Sequence, residues 1–452
     1  MKIITVTQNK KGSLQITFTK EFGVDQTLLT GGHPNIILGL KDGFTKFTLA
    51  LVLRNISRLA ISSKQNSFEL NFDEWYSLVS ETHNKESFAE MLAYELVNAS
   101  YEFEKYKKEK NKQTISIITK EKSVTEFLKK GILIGEELNK AREIINIPGS
   151  HFTPDDLAKH AVSESKKVSG VKVTVLDSKK MKALNMNAIL AVGESSLNKP
   201  KFICMEYAGG KKNEKNIVFV GKGVTFDTGG TDLKTSMYGM HMDMSGGAIA
   251  IHTLITLAKL KIKRNVVALV PAVENRVTGN SYLSGDVIVG MSGQAIEVLD
   301  TDAEGRVILS DALTYAKNFN PDVVIDMATL TGSAIKAFGT RSSALFSNDE
   351  KLTQTLKNIG ENVKNFMWPM PLYEEYKEDI KGNLGGITNL HKGIKGDGDV
   401  INAAMFLYQF AKDYKWAHID IAPRMESIKG DNLGTGATAE PLYAMVKFAE
   451  TL

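Results

Sequence analysis

Asn216-Ile217-Val218-Phe219-Val220 runs without a break into Gly221-Lys222-Gly223-Val224-Thr225-Phe226-Asp227-Thr228-Gly229-Gly230. An apolar run of this length followed at once by glycines reads as a buried strand that ends in a tight loop. Short apolar strands of the same kind recur at 171–176, 202–207, 265–270 and 323–327. Helical patterns at 248–260 and 310–318 separate several of them. Such alternation predicts a mostly parallel sheet covered by helices. In sheets of this type the ligand sits beyond the carboxyl ends of the strands, which is where the glycine loop falls.

Working outward, residues 1–122 carry strand signals at 3–6, 14–18, 35–38, 67–70 and 114–118, with helical patterns at 44–59 and 87–107. They read as a small N-terminal α/β domain without a catalytic constellation. Residues 105–112 hold five lysines, the pattern of a solvated helix end and loop. A helix at 124–145 stops before Pro148-Gly149, so 123–150 reads as a connecting helix. Thr153-Pro154-Asp155-Asp156 has the form of a helix start, with Thr153 as cap. From there, 151–452 forms a larger C-terminal α/β domain around the central sheet. The fold class is therefore α/β, in two domains of unequal size.

The chain has 452 residues, 42% hydrophobic and 24% charged, with a net charge of +4. That composition is ordinary for a globular protein, and the charge is too small to argue for nucleic acid or an anionic membrane. The single cysteine, Cys204, lies in an apolar strand, so the chain cannot build a disulfide framework. The N-terminal apolar run is too short for a signal peptide, and none approaches the roughly 18–20 residues of a membrane span. A reducing cytoplasm is the expected location.

The second chemical stretch is Asp300-Thr301-Asp302-Ala303-Glu304-Gly305-Arg306. Three carboxylates on alternate positions repel one another unless a cation sits among them, and metal ions are the usual partner. A solvated acidic turn is the bland reading. A calcium loop would use Asp300, Asp302, Glu304 and Asp311 at positions 1, 3, 5 and 12, but the segment before it is too short for the required helix. A phosphate-cradling loop at 221–230 fails on glycine–lysine spacing. Asp243, before an apolar helix, reads equally as a helix-start acid, and His241 as a satisfied polar residue. Together, acids at 227, 243, 302 and 304 and lysines at 222 and 234 gather on loops around one sheet. Two metal ions held by bridging carboxylates would activate a shared water and polarise a carbonyl. A lysine can join such a set only as the neutral amine.

These residues resemble the leucine (cytosol) aminopeptidase family. The match runs through Gly221–Gly230 with Lys234, Asp243-Met244, Glu274-Asn275, Ser284–Val287, Thr301–Arg306 and Ala328–Gly332, and covers roughly 140 to the C-terminus. It implies a metallopeptidase domain at 151–452, removing leucine-like, apolar N-terminal residues from short peptides. Two divalent ions, zinc or manganese, are implied in each subunit. Lys222, Asp227, Asp243 and Glu304 would hold the tighter one, and Asp227, Asp302 and Glu304 the more exchangeable one. Lys234 would polarise the scissile carbonyl and stabilise the gem-diolate. Arg306 would hold a bicarbonate ion as proton shuttle. Met240 and Thr329 match positions lining the pocket for the first side chain, and Leu330 would offer a carbonyl near the water. A homohexamer built as two trimers is implied as well. Asp300, Ser284, Pro423 and the pair Ala439-Glu440 depart from the family's usual residues without removing a ligand. Two other functions stay open: a DNA-binding accessory role for the first domain, and a metal phosphoesterase using the same ions.

Overall fold

The structure is a computed structural model that describes residues 1–7, 13–19, 27–29, 36–39, 46–63, 66–384, 386–393 and 397–452. Asn35 and Phe44, the first residues of an expected strand and helix, lie outside the described residues. The chain divides into two compact units, one of Met1–Lys140 with Ser427–Gly436, the other of Ala141–Glu426 with Ala437–Leu452. The division falls inside the helix Lys122–Ile145.

In the first unit the strands are β1 (Lys2–Val6), β2 (Leu14–Thr19), β3 (Thr27–Leu29), β4 (Ile36–Gly39), β5 (Ser67–Asn71) and β6 (Thr114–Ile118). They form one sheet in the order β1-β6-β5-β2-β4-β3, parallel except for β3. Ile115 and Ile117, on a central strand, are fully buried, as are Phe68 and Leu70 on its neighbour. The helices Lys46–Ser62 and Lys85–Ala99 are pinned together by a buried ion pair, Arg54 Nε to Glu95 Oε2 at 2.6 Å. The second of these was expected to continue to 107. It stops because Glu102 turns back onto Arg58 (2.6 Å) and the Glu104 carboxylate accepts the Asn111 N–H. The five lysines of 105–112 are all exposed, as a solvated loop should be.

The second unit carries β7 (Val171–Leu176), β8 (Lys201–Ala208), β9 (Asn216–Gly221), β10 (Gly223–Asp227), β11 (Asn265–Asn275), β12 (Val287–Val289), β13 (Ala295–Glu297), β14 (Pro321–Ala328), β15 (Ser343–Ser347), β16 (Met367–Pro369), β17 (Ile387–Thr388) and β18 (Lys415–Asp420). The main sheet has the order β16-β15-β18-β14-β9-β11-β8-β7, with β10 beside β11. Its centre, from β18 through β14, β9, β11 and β10, is parallel. The flanks are antiparallel, at β8 and β7 on one side and at β15 on the other, so the sheet is mixed. The connection 209–215 is too short for a crossover helix, which forces β8 to run against its neighbours. The expected strands all appear, and the apolar helix begins at Ser245 and the next at Glu304. Thr153 and Asp156 form the anticipated capping box.

Asp311, counted above as the last ligand of a calcium loop, has a different task. It lies one side of the helix Glu304–Ala316, buried, and its carboxylate accepts backbone N–H groups from Ala188 and Ile189 (2.9 and 3.1 Å) and from Met291 (2.8 Å). It thereby caps the helix Asn187–Gly193 from a distance. Burial pushes its carboxyl up to about 6, although the three N–H bonds pull the other way. Because the folded value lies above the unfolded one, this group's contribution to stability declines as pH rises from about 4 to 6. Asp311→Ala leaves two buried and one part-buried N–H group without an acceptor and is expected to cost about 3 kcal/mol. Urea denaturation of the two proteins, compared at matched pH, measures it.

Candidate active site

Each strand of the parallel centre delivers a polar group at its carboxyl end. Lys222 follows β9, Asp227 closes β10, Asn275 closes β11, Thr329 follows β14 and Asp420 closes β18. The loop after β10 turns at Gly229 and Gly230, both at positive φ (88° and 64°), a backbone state glycine adopts without a Cβ penalty. That turn brings Lys234 back over Asp227. The fourth contributor is the segment 300–306, where Glu304 is the first residue of a helix rather than part of an acidic turn.

Four carboxylates and two ammonium groups meet here. Lys222 Nζ lies 2.8 Å from Glu304 Oε1 and 3.0 Å from Asp243 Oδ2, and donates to the Thr329 carbonyl at 2.9 Å. Lys234 Nζ lies 2.8 Å from Asp227 Oδ2 and also contacts Asp302 Oδ1. One oxygen from each of Asp227, Asp302 and Glu304 lies within 4.8 Å of the others. Glu304 is buried, and among the described residues its Oε2 has no hydrogen-bond partner. A buried carboxylate oxygen left bare among other acids is costly in a protein interior, and a cation is what repays it. The residues present therefore fit a metal ion.

The electrostatics follow from the same crowding. Burial, with Glu304 and Asp227 nearby, pushes the Asp302 carboxyl up to about 7. Burial also raises Asp243, against the pull of Lys222, and raises Glu304 together with the Asp227 charge. On Lys222 burial opposes the charge, but Asp243, Glu304 and Asp227 outweigh it and hold the ammonium protonated. Lys234 is held in the same way by Asp227, Glu304 and Asp302.

Gly305 shows how tightly the set is assembled. A Cβ there would stand 2.7 Å from Lys222 Nζ and 2.9 Å from Leu330 Cδ1, so no larger residue fits between Glu304 and Arg306. Thr329 donates its hydroxyl to Asp243 Oδ1 at 2.8 Å, so its side chain braces a candidate ligand. The Leu330 N–H is held by Asp420 Oδ1 at 3.1 Å. Met240 is half-buried in the short helical turn Met240–Met242, and His241 beside it is held neutral by burial. Asp243 does not cap the following helix, whose cap residue is Met244.

Several further contacts support the set. Asn275 Nδ2 donates to Asp227 Oδ1 (2.8 Å) and to the Thr301 carbonyl (3.0 Å), tying the two ligand-bearing loops together. Asp232 Oδ2 accepts from the Ser284 hydroxyl (2.7 Å) and the Thr301 N–H (2.8 Å), which gives the unusual Ser284 a partner. Asp300 Oδ1 accepts the Asp302 N–H at 2.7 Å and so shapes the turn. Arg306 Nη2 donates to Asp399 Oδ1 at 2.9 Å. Glu440, another departure, forms a buried two-point pair with Arg424 at 2.9 and 3.0 Å.

The family described as "Cytosol aminopeptidase family, catalytic domain" matches residues 139–446. The probable cytosol aminopeptidase of Chlorobaculum tepidum is 38% identical over 425 residues, covering 89% of this chain and 83% of that protein. The one from Nitrosospira multiformis is 42% identical over 325 residues, covering 72% of this chain and 61% of that protein. Among solved structures, the bottromycin maturation enzyme BotP in complex with Mn superposes with a TM-score of 0.87, at 24% identity over 97% of this chain and 99% of the other. A lysine-to-glutamate mutant of tomato leucine aminopeptidase superposes with a TM-score of 0.88, at 24% identity over 100% and 97%. At that identity the two structures establish a shared fold.

Proposed function

The chain belongs to the cytosol aminopeptidase family of metallopeptidases, and on that premise we propose that it removes leucine-like N-terminal residues from short peptides using two divalent ions. The observation that carries this reading is the group Asp227, Asp302 and Glu304, one oxygen of each within 4.8 Å of the others, with a bare buried oxygen on Glu304. Lys222, Asp227, Asp243 and Glu304 would hold one ion, and Asp227, Asp302 and Glu304 the other, either zinc or manganese. Bound there, the ions supply an activated water and a polarised carbonyl.

The chain's own residues do the rest. Lys222 must give up its proton to serve as a ligand, so metal loading is coupled to proton release. Lys234, kept protonated by its acidic surroundings, is the donor for the carbonyl oxygen as negative charge develops on it. Asn275, Asp232 and Asp300 fix the loops that carry these groups. Met240 and Thr329 are the residues proposed, from the resemblance, to line the pocket for the first side chain of the peptide. The resemblance also implies bicarbonate on Arg306. The Asp399 carboxylate already stands on that guanidinium, and no step above uses a free anion. No helix of the described residues is long and apolar enough to cross a membrane. A cytoplasmic homohexamer acting on peptides is the assembly we propose from the family.

Chelator-treated protein should lose hydrolysis of leucyl-p-nitroanilide and regain it with added manganese or zinc, with two ions counted per chain. Full activity in chelator would sink the metal mechanism. Faster turnover of p-nitrophenyl phosphate than of the leucyl substrate would move the protein to the phosphoesterases.

A further inference from the structure

Arg306 is a buried cation on the first turn of the helix Glu304–Ala316, where the positive end of the helix dipole works against it. A guanidinium in that position requires an anion. The chain provides one: Arg306 Nη2 donates to Asp399 Oδ1 at 2.9 Å, with side chains only 3% and 14% exposed. Among the described residues, Arg306 Nε and Nη1 have no hydrogen-bond partner. Asp399 opens the helix Asp399–Ala411 behind Gly398 at φ 59°, and that helix's dipole favours a carboxylate there. The other acids of the site are committed elsewhere. Asp227 and Asp302 face Lys234, Asp243 and Glu304 face Lys222, and Asp300 holds the Asp302 N–H. Asp399 is the carboxylate that stands on Arg306 and is not needed by the ligand set.

We propose that Asp399 is the built-in anion of Arg306 and takes the place of bicarbonate, so that hydrolysis needs no free oxyanion. In this role Asp399 accepts the proton of the attacking water and returns it to the departing amine, with no net gain or loss. The proposal rests on the aminopeptidase reading, but the occupancy of Arg306 is measurable apart from activity.

The test compares the metal-loaded wild type with Asp399→Ala and Asp399→Asn, in carbonate-free buffer and with added bicarbonate. Wild-type turnover should not respond to bicarbonate. Asp399→Ala should lose about 10²-fold in kcat with little change in KM, and bicarbonate should restore much of the loss. Asp399→Asn should lose as much without rescue, since its amide still fills the place on Arg306 and cannot carry the proton. Independently of turnover, bicarbonate should raise the melting temperature of Asp399→Ala and leave that of the wild type unmoved. Stimulation or thermal stabilisation of the wild type by bicarbonate, or full activity in Asp399→Ala, overturns the proposal. If the wild type hydrolyses no leucyl substrate with any metal, the aminopeptidase reading fails, and the melting temperatures still decide what occupies Arg306.

Discussion

Replacing Glu304 by Gln is expected to lower kcat/KM about 10³-fold or more while making the metal-free protein more resistant to heat. The two effects have one origin. Without ions, four carboxylates crowd two ammonium groups inside a largely buried site, and burial together with mutual repulsion raises Asp243, Asp302 and Glu304. Glu304 is the most crowded of them, with Lys222 on one oxygen and nothing on the other. Gln keeps the shape and an acceptor for Lys222 but removes one unit of the repulsion, so the empty site relaxes. With ions the balance would reverse: Glu304 is proposed to help hold them, and a neutral amide in its place would forfeit about 4 kcal/mol of transition-state stabilisation. Thermal melts in chelator and steady-state rates in manganese read the two arms separately. A variant that loses activity and melts lower in chelator would place Glu304 in the scaffold and not on a metal. Retained activity would remove it from the ligand set.

The sequence was most legible where physics is local. The strand 216–220 could be read because an apolar run meets glycines, and the capping box at Thr153 because its spacing is fixed by one helical turn. The parallel centre followed from the alternation of strands and helices. The antiparallel flanks did not, because strand direction there is set by the connections and not by any strand's composition, as the short 209–215 link beside β8 shows. The acids that face the cluster were visible as alternate carboxylates beside a glycine loop. Their supports were less so: Asn275 appeared only as part of the matched stretch Glu274-Asn275, and Asp232 and Asp399 act across 69 and 93 residues of chain with little local sequence to mark them. Asp399 carried the only faint signal, an acid immediately after Gly398 at the head of an apolar helix. Asp311 shows why the calcium loop was rightly set aside. It fitted a calcium count in one dimension while its carboxylate points to a helix more than a hundred residues earlier.

Lys234→Ala is expected to lower kcat by 10² to 10³-fold with little change in KM, and to tighten metal binding at the same time. In the structure its ammonium spans Asp227 and Asp302, two of the three acids that converge on one point. As long as it stays there it competes with any cation for their oxygens, so deleting it raises the net negative charge of the site and favours ions. Turnover moves the other way, because a preorganised donor to a developing oxyanion contributes roughly that factor in rate. Its half-buried position, 20% exposed at the side chain, lets it turn from the acids towards an entering carbonyl. Lys234→Arg should not recover the rate: a planar fork anchored on two carboxylates is bulkier and cannot redirect a single compact charge. Metal titration and kcat measured on the same preparations separate this from simple damage to the loop. A damaged loop would weaken ion binding and catalysis together, whereas a competing donor makes one stronger as the other falls.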